Sequence, residues 1–347
     1  MATNTLTLTL GAVRPSRRRR RYRIPAPALL LAPSFLIVSV FVYVFIAYTI
    51  GVSLSKDWRP AKPNFAITSP WYKNYHSLAA SPRFQADVRN TVILTVVFVV
   101  GSVVVGFLLA VLVHNALYAK GFFRGVFLLP YALSFIVTGV VWRWLFNPIT
   151  GVNLLLRSSG ISTAYQHLTG HPLQPGWATS PTVVGDVSGL LNKVLPGSHF
   201  IQAQLGIPIA LLAVALAAGW QLTGFAMAMF LAGLTAVPSE VREAAMMDGA
   251  SGRRYYLSVV VPMLRPITVT TAVILTYVSL KMFDLVFAMA GSGIGFATDT
   301  PGIYVYETMF KALRPDLASA ASIVMLVLVC VIVVPYLARH SRRQESE

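Results

Sequence analysis

Residues 240–266 read EVREAAMMDGASGRRYYLSVVVPMLRP, a charged island between two long apolar runs. In a membrane protein such an island is exposed to water, and this one is too long and too patterned for a simple turn. Ser239, just after Pro238, can cap a helix start. Val241, Ala244 and Ala245 follow at helical spacing. Gly249 is a helix stop, because glycine takes a left-handed backbone conformation at no steric cost. Ser251 can cap a second short helix carrying Arg253, Arg254, Tyr255, Tyr256 and Leu257, and Pro262 and Pro266 bracket the entry to the next apolar run. The expectation is two short helices joined by a tight turn at the membrane surface. A small-residue face of Ala244, Ala245 and Ala250 lets another protein come close, where Glu243, Arg253 and Arg254 can pair with its charges.

Composition sets the context. The chain has 347 residues, of which 56% are hydrophobic and only 12% charged, with a mean hydropathy of +0.67. Soluble domains carry about 25% charge, so this is an integral membrane protein and its length counts spans. The formal net charge of +16 invites a nucleic-acid reading, but its distribution argues otherwise. Seven arginines lie between Arg14 and Arg23, directly before the first apolar run. That is the positive-inside signature, with attraction to anionic membrane lipid added. The single cysteine, Cys330, lies in the last apolar run; it excludes an intramolecular disulfide and is taken as a packing residue. No His/Cys cluster has metal-ligand spacing, and His171 and His199 sit in a polar loop.

In chain order, residues 1–24 form a basic cytoplasmic tail, and six apolar runs follow, at about 28–54, 88–117, 125–146, 205–234, 267–290 and 318–338. Each is long enough to cross a hydrocarbon core, which takes roughly 20 helical residues. The first run is too long for a signal-peptide core. Gly101 and Gly106 permit close helix contact in the second span. Pro130 kinks the third, and Trp142, Arg143 and Trp144 mark its outer end. The fourth places Trp220, Gln221 and Thr223 near mid-membrane, where Gln221 needs a partner inside the bundle. The fifth carries Tyr277, Ser279, Lys281 and Asp284, the last two able to share a helix face as an ion pair. Residues 147–204 are the longest connection, rich in Gly, Pro and Ser, and residues 339–347 form a second cytoplasmic tail.

The spacing from Glu243-Ala244-Ala245 through Asp248-Gly249-Ala250 to Pro262 resembles the "EAA" loop of the membrane subunits of bacterial ABC importers. Asn147-Pro148, Trp220-Gln221 and Phe283-Asp284 are similar to segments of the carbohydrate-uptake subgroup, of the maltose and glycerol-phosphate type. The resemblance covers roughly residues 25–340. It implies an all-α fold of six transmembrane helices, the type I ABC importer permease fold, over 25–338, with both termini cytoplasmic and residues 238–266 as the coupling loop. It implies a bacterial plasma-membrane protein and a sugar importer for disaccharides or α-glucoside-like sugars. The partners it implies are a second permease subunit in a heterodimer, two ATP-binding subunits that hold ATP and magnesium, and a solute-binding protein. On this likeness Glu243, Ala244, Ala245, Asp248, Gly249, Ala250 and Arg253 couple to the ATPase. Trp220, Gln221, Tyr277, Ser279, Lys281 and Asp284 belong to the substrate pathway.

The chain itself carries no phosphate loop and no nucleophile–base constellation, so no enzymatic activity, bound cofactor or nucleic-acid partner is expected of it. A non-sugar solute of the same transporter class is one alternative. A secondary transporter is another. It would have internal repeats with broken midplane helices and no use for the charged island.

Overall fold

The structure is a computed structural model that describes residues 26–59, 61–115, 120–169, 175–185, 204 and 206–344. The basic tail before residue 26, together with His171 and His199, lies outside them. The chain divides into two units, residues 1–48 and 49–347. In the first, α1 (Ala26–Val38) passes into a π-helical stretch, Ser39–Val44. The next helix, α2 (Phe45–Ser53), begins in the first unit and ends in the second.

Among the described residues the second unit is mostly helical because its runs are apolar and lack water to satisfy backbone groups, which leaves helices as the economical solution. After α3 (Lys73–Ala79) comes α4 (Pro82–Asn115), the longest helix at 34 residues. Then follow α5 (Lys120–Leu128), a 3-10 turn at Leu129–Ala132, and α6 (Phe135–Leu145). Two short helices, α7 (Val152–Ser158) and α8 (Ile161–Thr169), lie in the long connection. A two-residue antiparallel ladder pairs β1 (Val183–Val184) with β2 (Ile207–Pro208). The remaining helices are α9 (Ile209–Thr235), α10 (Ser239–Met247), α11 (Arg253–Tyr255), α12 (Val261–Met263), α13 (Arg265–Leu280), α14 (Asp284–Met289), α15 (Pro301–Phe310) and α16 (Pro315–Gln344).

Among the described residues, four helical segments are long and apolar enough to cross a membrane, and two bent pairs bring the number to six. One bent pair is Lys120–Ala132 with Phe135–Leu145, at 96°. The third apolar run is therefore broken rather than gently kinked. Pro130 sits in the 3-10 turn, and Ser134 caps α6 by accepting from the Ile136 N–H. The fifth run is also interrupted: α13 stops at Leu280 and α14 restarts at Asp284.

The core is built where α4 and α9 press together. A Cβ on Gly106 would lie 2.6 Å from the Ala226 Cβ, so the missing side chain is what allows the approach. Gly224 likewise meets the Phe127 carbonyl of α5. Gly139 in α6 rests on Leu285 and Ala288 of α14. Gly101 behaves differently from the expectation, since a Cβ there would meet nothing within 4 Å. Around these contacts Phe98, Leu211, Val214 and Leu275 are buried in one cluster, and Val113, Met227, Phe230 and Leu264 in a second. Cys330 is exposed on α16 rather than packed.

These glycines make a testable contrast. Gly224→Val must push against backbone, and overpacking of this kind costs about 1–3 kcal/mol. A clear fall in the thermal unfolding midpoint of the detergent-solubilised protein is expected for it, and no measurable fall for Gly101→Ala. Equal midpoints for both variants would show that the close approach at Gly224 is not tight.

Candidate functional site

Three regions collect the polar chemistry. The first is the charged island. Helix α10 begins at Ser239, but its N-cap is Pro238 and no side chain caps it; α11 has Gly252, not Ser251, at its N-cap. The residues named as caps therefore do not cap. Gly249 carries the turn, with φ +74°. Its N–H donates to the Met246 carbonyl at 3.1 Å, and the Ala250 N–H donates to the Ala245 carbonyl at 2.8 Å. This reciprocal pair closes the helix end and requires a left-handed residue between.

The helix period then sorts the island's faces. Ala245 and Ala250 are buried against the chain itself, whereas Glu243, Ala244, Asp248 and Arg253 are exposed. The small-residue face is thus split: only Ala244 of its three alanines points outward. The outward face also presents Met247, 89% exposed, which sequence reasoning passed over. Among the described residues, Glu243, Asp248 and Arg253 make no ion pair. A cavity of about 580 Å³ lies beneath the island, lined by His114, Arg242, Ser239 and Tyr256 among others. There the Asn115 amide donates to the Tyr256 hydroxyl at 2.6 Å, fastening the island to the end of α4.

The second region is a cavity of about 710 Å³ walled by α4, by the broken third run and by α9. Trp220 and Trp142 meet edge to face in its wall, with centroids 5.9 Å apart. Thr223 and Ser102 add hydroxyls, and Gly101 and Gly219 leave room. The Ser102 hydroxyl is buried with no hydrogen-bond partner among the described residues. Of the six residues assigned to a pathway from sequence, only Trp220 lines this cavity. Gln221 points the other way and donates to the Leu133 carbonyl at 2.7 Å, holding the break in the third run. Trp142 was taken as an outer-end marker, yet it faces Trp220; no local signal in the sequence carries that pairing.

The third region is at the far end of α13 from the island. Ser279 shares a 2.9 Å hydrogen bond with Thr95 of α4 and lines a small cavity of about 40 Å³. Lys281 donates to the Tyr277 hydroxyl at 2.9 Å and lies 4.8 Å from that ring's centroid. It does not pair with Asp284, because the helix ends between them and the shared face is lost. Nearby, Arg83 of α4 bridges Asp299 and Glu307, both at 2.6 Å, and Lys311 joins Glu307 at 2.8 Å. The Asn90 amide donates to the Phe296 and Asp299 carbonyls, each at 2.8 Å. This knot ties α15 and its approach to α4. Burial raises the Asp299 carboxyl against the opposing pull of Arg83. At Glu307 burial also pushes upward, but Lys311 and Arg83 win and hold the carboxyl below its ordinary value. Among the described residues no group of three His, Cys, Asp or Glu side chains is placed to hold a metal ion.

With this geometry in hand, the likenesses to other proteins fall into one pattern. Residues 102–345 match the family described as the binding-protein-dependent transport system inner membrane component. A probable ABC transporter permease protein of Pyrococcus horikoshii is 30% identical over 306 residues, covering 88% of this chain and 92% of the relative. The xylose/arabinose import permease protein XacH of Haloferax volcanii is 28% identical over 87% of this chain and 84% of its own. The trehalose/maltose transport system permease protein MalF of Thermococcus litoralis is 26% identical over 88% and 90%. In fold, the chain resembles a bacterial ABC transporter involved in import of the acidic polysaccharide alginate. That match has a TM-score of 0.66 at 18% identity and covers 92% of this chain and 96% of the other.

The Glu307 arrangement predicts an acid-labile contribution. A carboxyl whose folded pKa is depressed stabilises above its unfolded value, about 4.3 for Glu, and loses that contribution as pH falls through the folded value. Glu307→Gln is expected to lower the unfolding midpoint at pH 7, with the difference from the parent shrinking below about pH 4. A difference that stays constant down to pH 3 would refute the pairing as the source of stability.

Proposed function

The chain belongs to the family of binding-protein-dependent transport system inner membrane components, and on that premise we propose that it is the sugar-conducting permease subunit of an ATP-driven importer. The family is one of inner-membrane transport permeases working with a binding protein. The further reading is a heterodimer with a second permease, two ATP-binding subunits that carry ATP and magnesium, and both termini in the cytoplasm. The arginines between Arg14 and Arg23 support that orientation. The names of the relatives, for xylose/arabinose and for trehalose/maltose, support a sugar as cargo. So does a cavity walled by two tryptophans with hydroxyls beside them, since rings suit sugar faces and hydroxyls suit sugar hydroxyls. Among sugars we favour disaccharides of the α-glucoside type.

One observation carries the mechanism: the helices that wall the cavity are the helices on which the island rests. Val260 and Leu264, in the last part of the island, are buried with Val113 of α4 and with Phe230 and Leu231 of α9. The same α4 and α9 supply Ser102, Gly219, Trp220 and Thr223 to the cavity. A partner that moves the second half of the island therefore moves cavity walls through the packing of Val260 and Leu264 on α4 and α9. The outward Glu243, Ala244, Met247 and Asp248 give an ATP-binding subunit its grip. Gly249 fixes the angle of that face, and Arg253 is an exposed cation for a carboxylate of the partner. ATP binding and release then bias two arrangements of the cavity.

Two experiments test this in proteoliposomes holding both permeases and the ATP-binding subunits, with the binding protein added. Gly249→Pro removes a donor and forbids positive φ, and Glu243→Lys reverses the grip charge. Each is expected to cut ATP-dependent uptake by at least about tenfold while ATP hydrolysis continues, whereas parental uptake by both would remove the island from the coupling role. Trp220→Ala is expected to lower sugar uptake about tenfold with assembly intact. Unaltered transport in that variant would move the sugar away from this cavity, and uptake driven by an ion gradient without ATP would overturn the importer class.

A further inference from the structure

The two halves of the island are held differently. The second half is packed into the bundle through Val260 and Leu264. The first half, α10, has only Ala245 buried among its nine residues. Between α10 and the ends of α4 and α9 lies the cavity of about 580 Å³. Its size is in the range of small-molecule sites, about 300–1,000 Å³.

The wall of this cavity carries one sign of charge. Ser239, Arg242 and Met246 of α10 line it, three and then four residues apart, so one row of the helix faces it. Glu240 and Glu243 belong to another row, and among the described residues no Asp or Glu lines the cavity. Arg242 is exposed and, among the described residues, makes no ion pair. His114 of α4 joins it in the wall, and Lys120 stands beside His114, donating to its carbonyl at 2.9 Å. Ser251 adds a hydroxyl, and the Tyr256 hydroxyl, which accepts from Asn115, keeps its own proton to donate. A concave surface of one charge sign focuses its field and gathers counter-ions. Guanidinium, imidazole and hydroxyl donors without a carboxylate suit a tetrahedral oxyanion, and the guanidinium fork matches phosphate oxygens. Leu234 and Val260 give the cavity an apolar side as well. It sits where α4 ends at Asn115 and α9 at Thr235, the level at which a span gives way to headgroups and water.

We propose that the cavity beneath the island, anchored by Arg242 and His114, binds a phosphate-type anion, supplied by a lipid headgroup or by a soluble phosphate. Basic pockets at the cytoplasmic ends of spans take anionic headgroups for this reason, and the orientation proposed above puts the island on that side. A bound anion is shared by Arg242 on α10 and His114 on α4, so it gives α10 an anchor beyond the buried Ala245 and Ala250. What that anchor does for transport rests on the coupling reading above; the binding does not.

The test reads binding to the full-length protein in two arms. One is equilibrium dialysis of labelled inorganic phosphate against the detergent-solubilised protein. The other counts phosphatidylglycerol retained by native mass spectrometry after release from nanodiscs of mixed phosphatidylcholine and phosphatidylglycerol. Arg242→Gln removes the charge from the wall; Arg254→Gln removes an exposed island charge outside it. The parent is expected to bind at least one probe, with affinity about tenfold or more weaker in Arg242→Gln and unchanged in Arg254→Gln. Retention of phosphatidylglycerol alone assigns the site to a lipid headgroup, and binding of phosphate alone assigns it to a soluble phosphate. Binding of neither probe overturns the proposal. So does an equal loss in Arg254→Gln, which makes the attraction a property of the island's overall charge. No readout passes through uptake, so a failure of the coupling reading leaves this test unchanged.

Discussion

The approach of α4 to α9, at Gly106 against Ala226, is the contact on which the rest of this protein depends. In a bilayer, water drives no helix together with another, so association comes from close packing, and close packing needs small residues at the crossing. Once the two helices are locked, their ends define what lies at each side of the membrane. At one end they meet Val260 and Leu264 of the charged island. Midway they wall the large cavity. At the other end of α4, Arg83 gathers Asp299 and Glu307 and draws α15 against it.

Two broken spans give this frame its working surfaces. The break at Leu129–Ser134 leaves backbone groups without helical partners, and Gln221 satisfies one of them at the Leu133 carbonyl. That hydrogen bond commits Gln221 to structure and leaves Trp220, one residue before it, to face the cavity with Trp142. The break at Lys281–Phe283 separates two charges that a continuous helix would have paired. Irregular backbone at membrane depth is tolerated where it is packed in protein or lines a polar space. Both breaks therefore coincide with polar or aromatic surfaces, for the same energetic reason.

The island illustrates how a local rule and a packing outcome divide the work. Its helix stop at Gly249 follows from backbone sterics alone, and the turn there has the positive φ that only glycine adopts without strain. Which alanine faces a partner does not follow from spacing. Ala245 and Ala250 are turned inward, and Ala244 and Met247 are left outside.

The sequence by itself determined the helical membrane class, the number of apolar runs and the place of the charged island. These are local properties: hydropathy over about 20 residues and backbone chemistry at Gly and Pro decide them without reference to neighbours. The family followed from the same stretch, residues 243–262, because its small and charged residues sit at fixed spacing. Tertiary structure alone decided which residues share a site. Trp220 joined Trp142 rather than Tyr277, Ser279 joined Thr95, and Lys281 joined Tyr277 rather than Asp284. An apolar helix in lipid can present any of its faces to a neighbour at nearly equal cost, so hydrophobic periodicity carries little information about roll. Steric fit at Gly106, Gly139 and Gly224 sets it instead, and that fit exists only once the partner helix is in place.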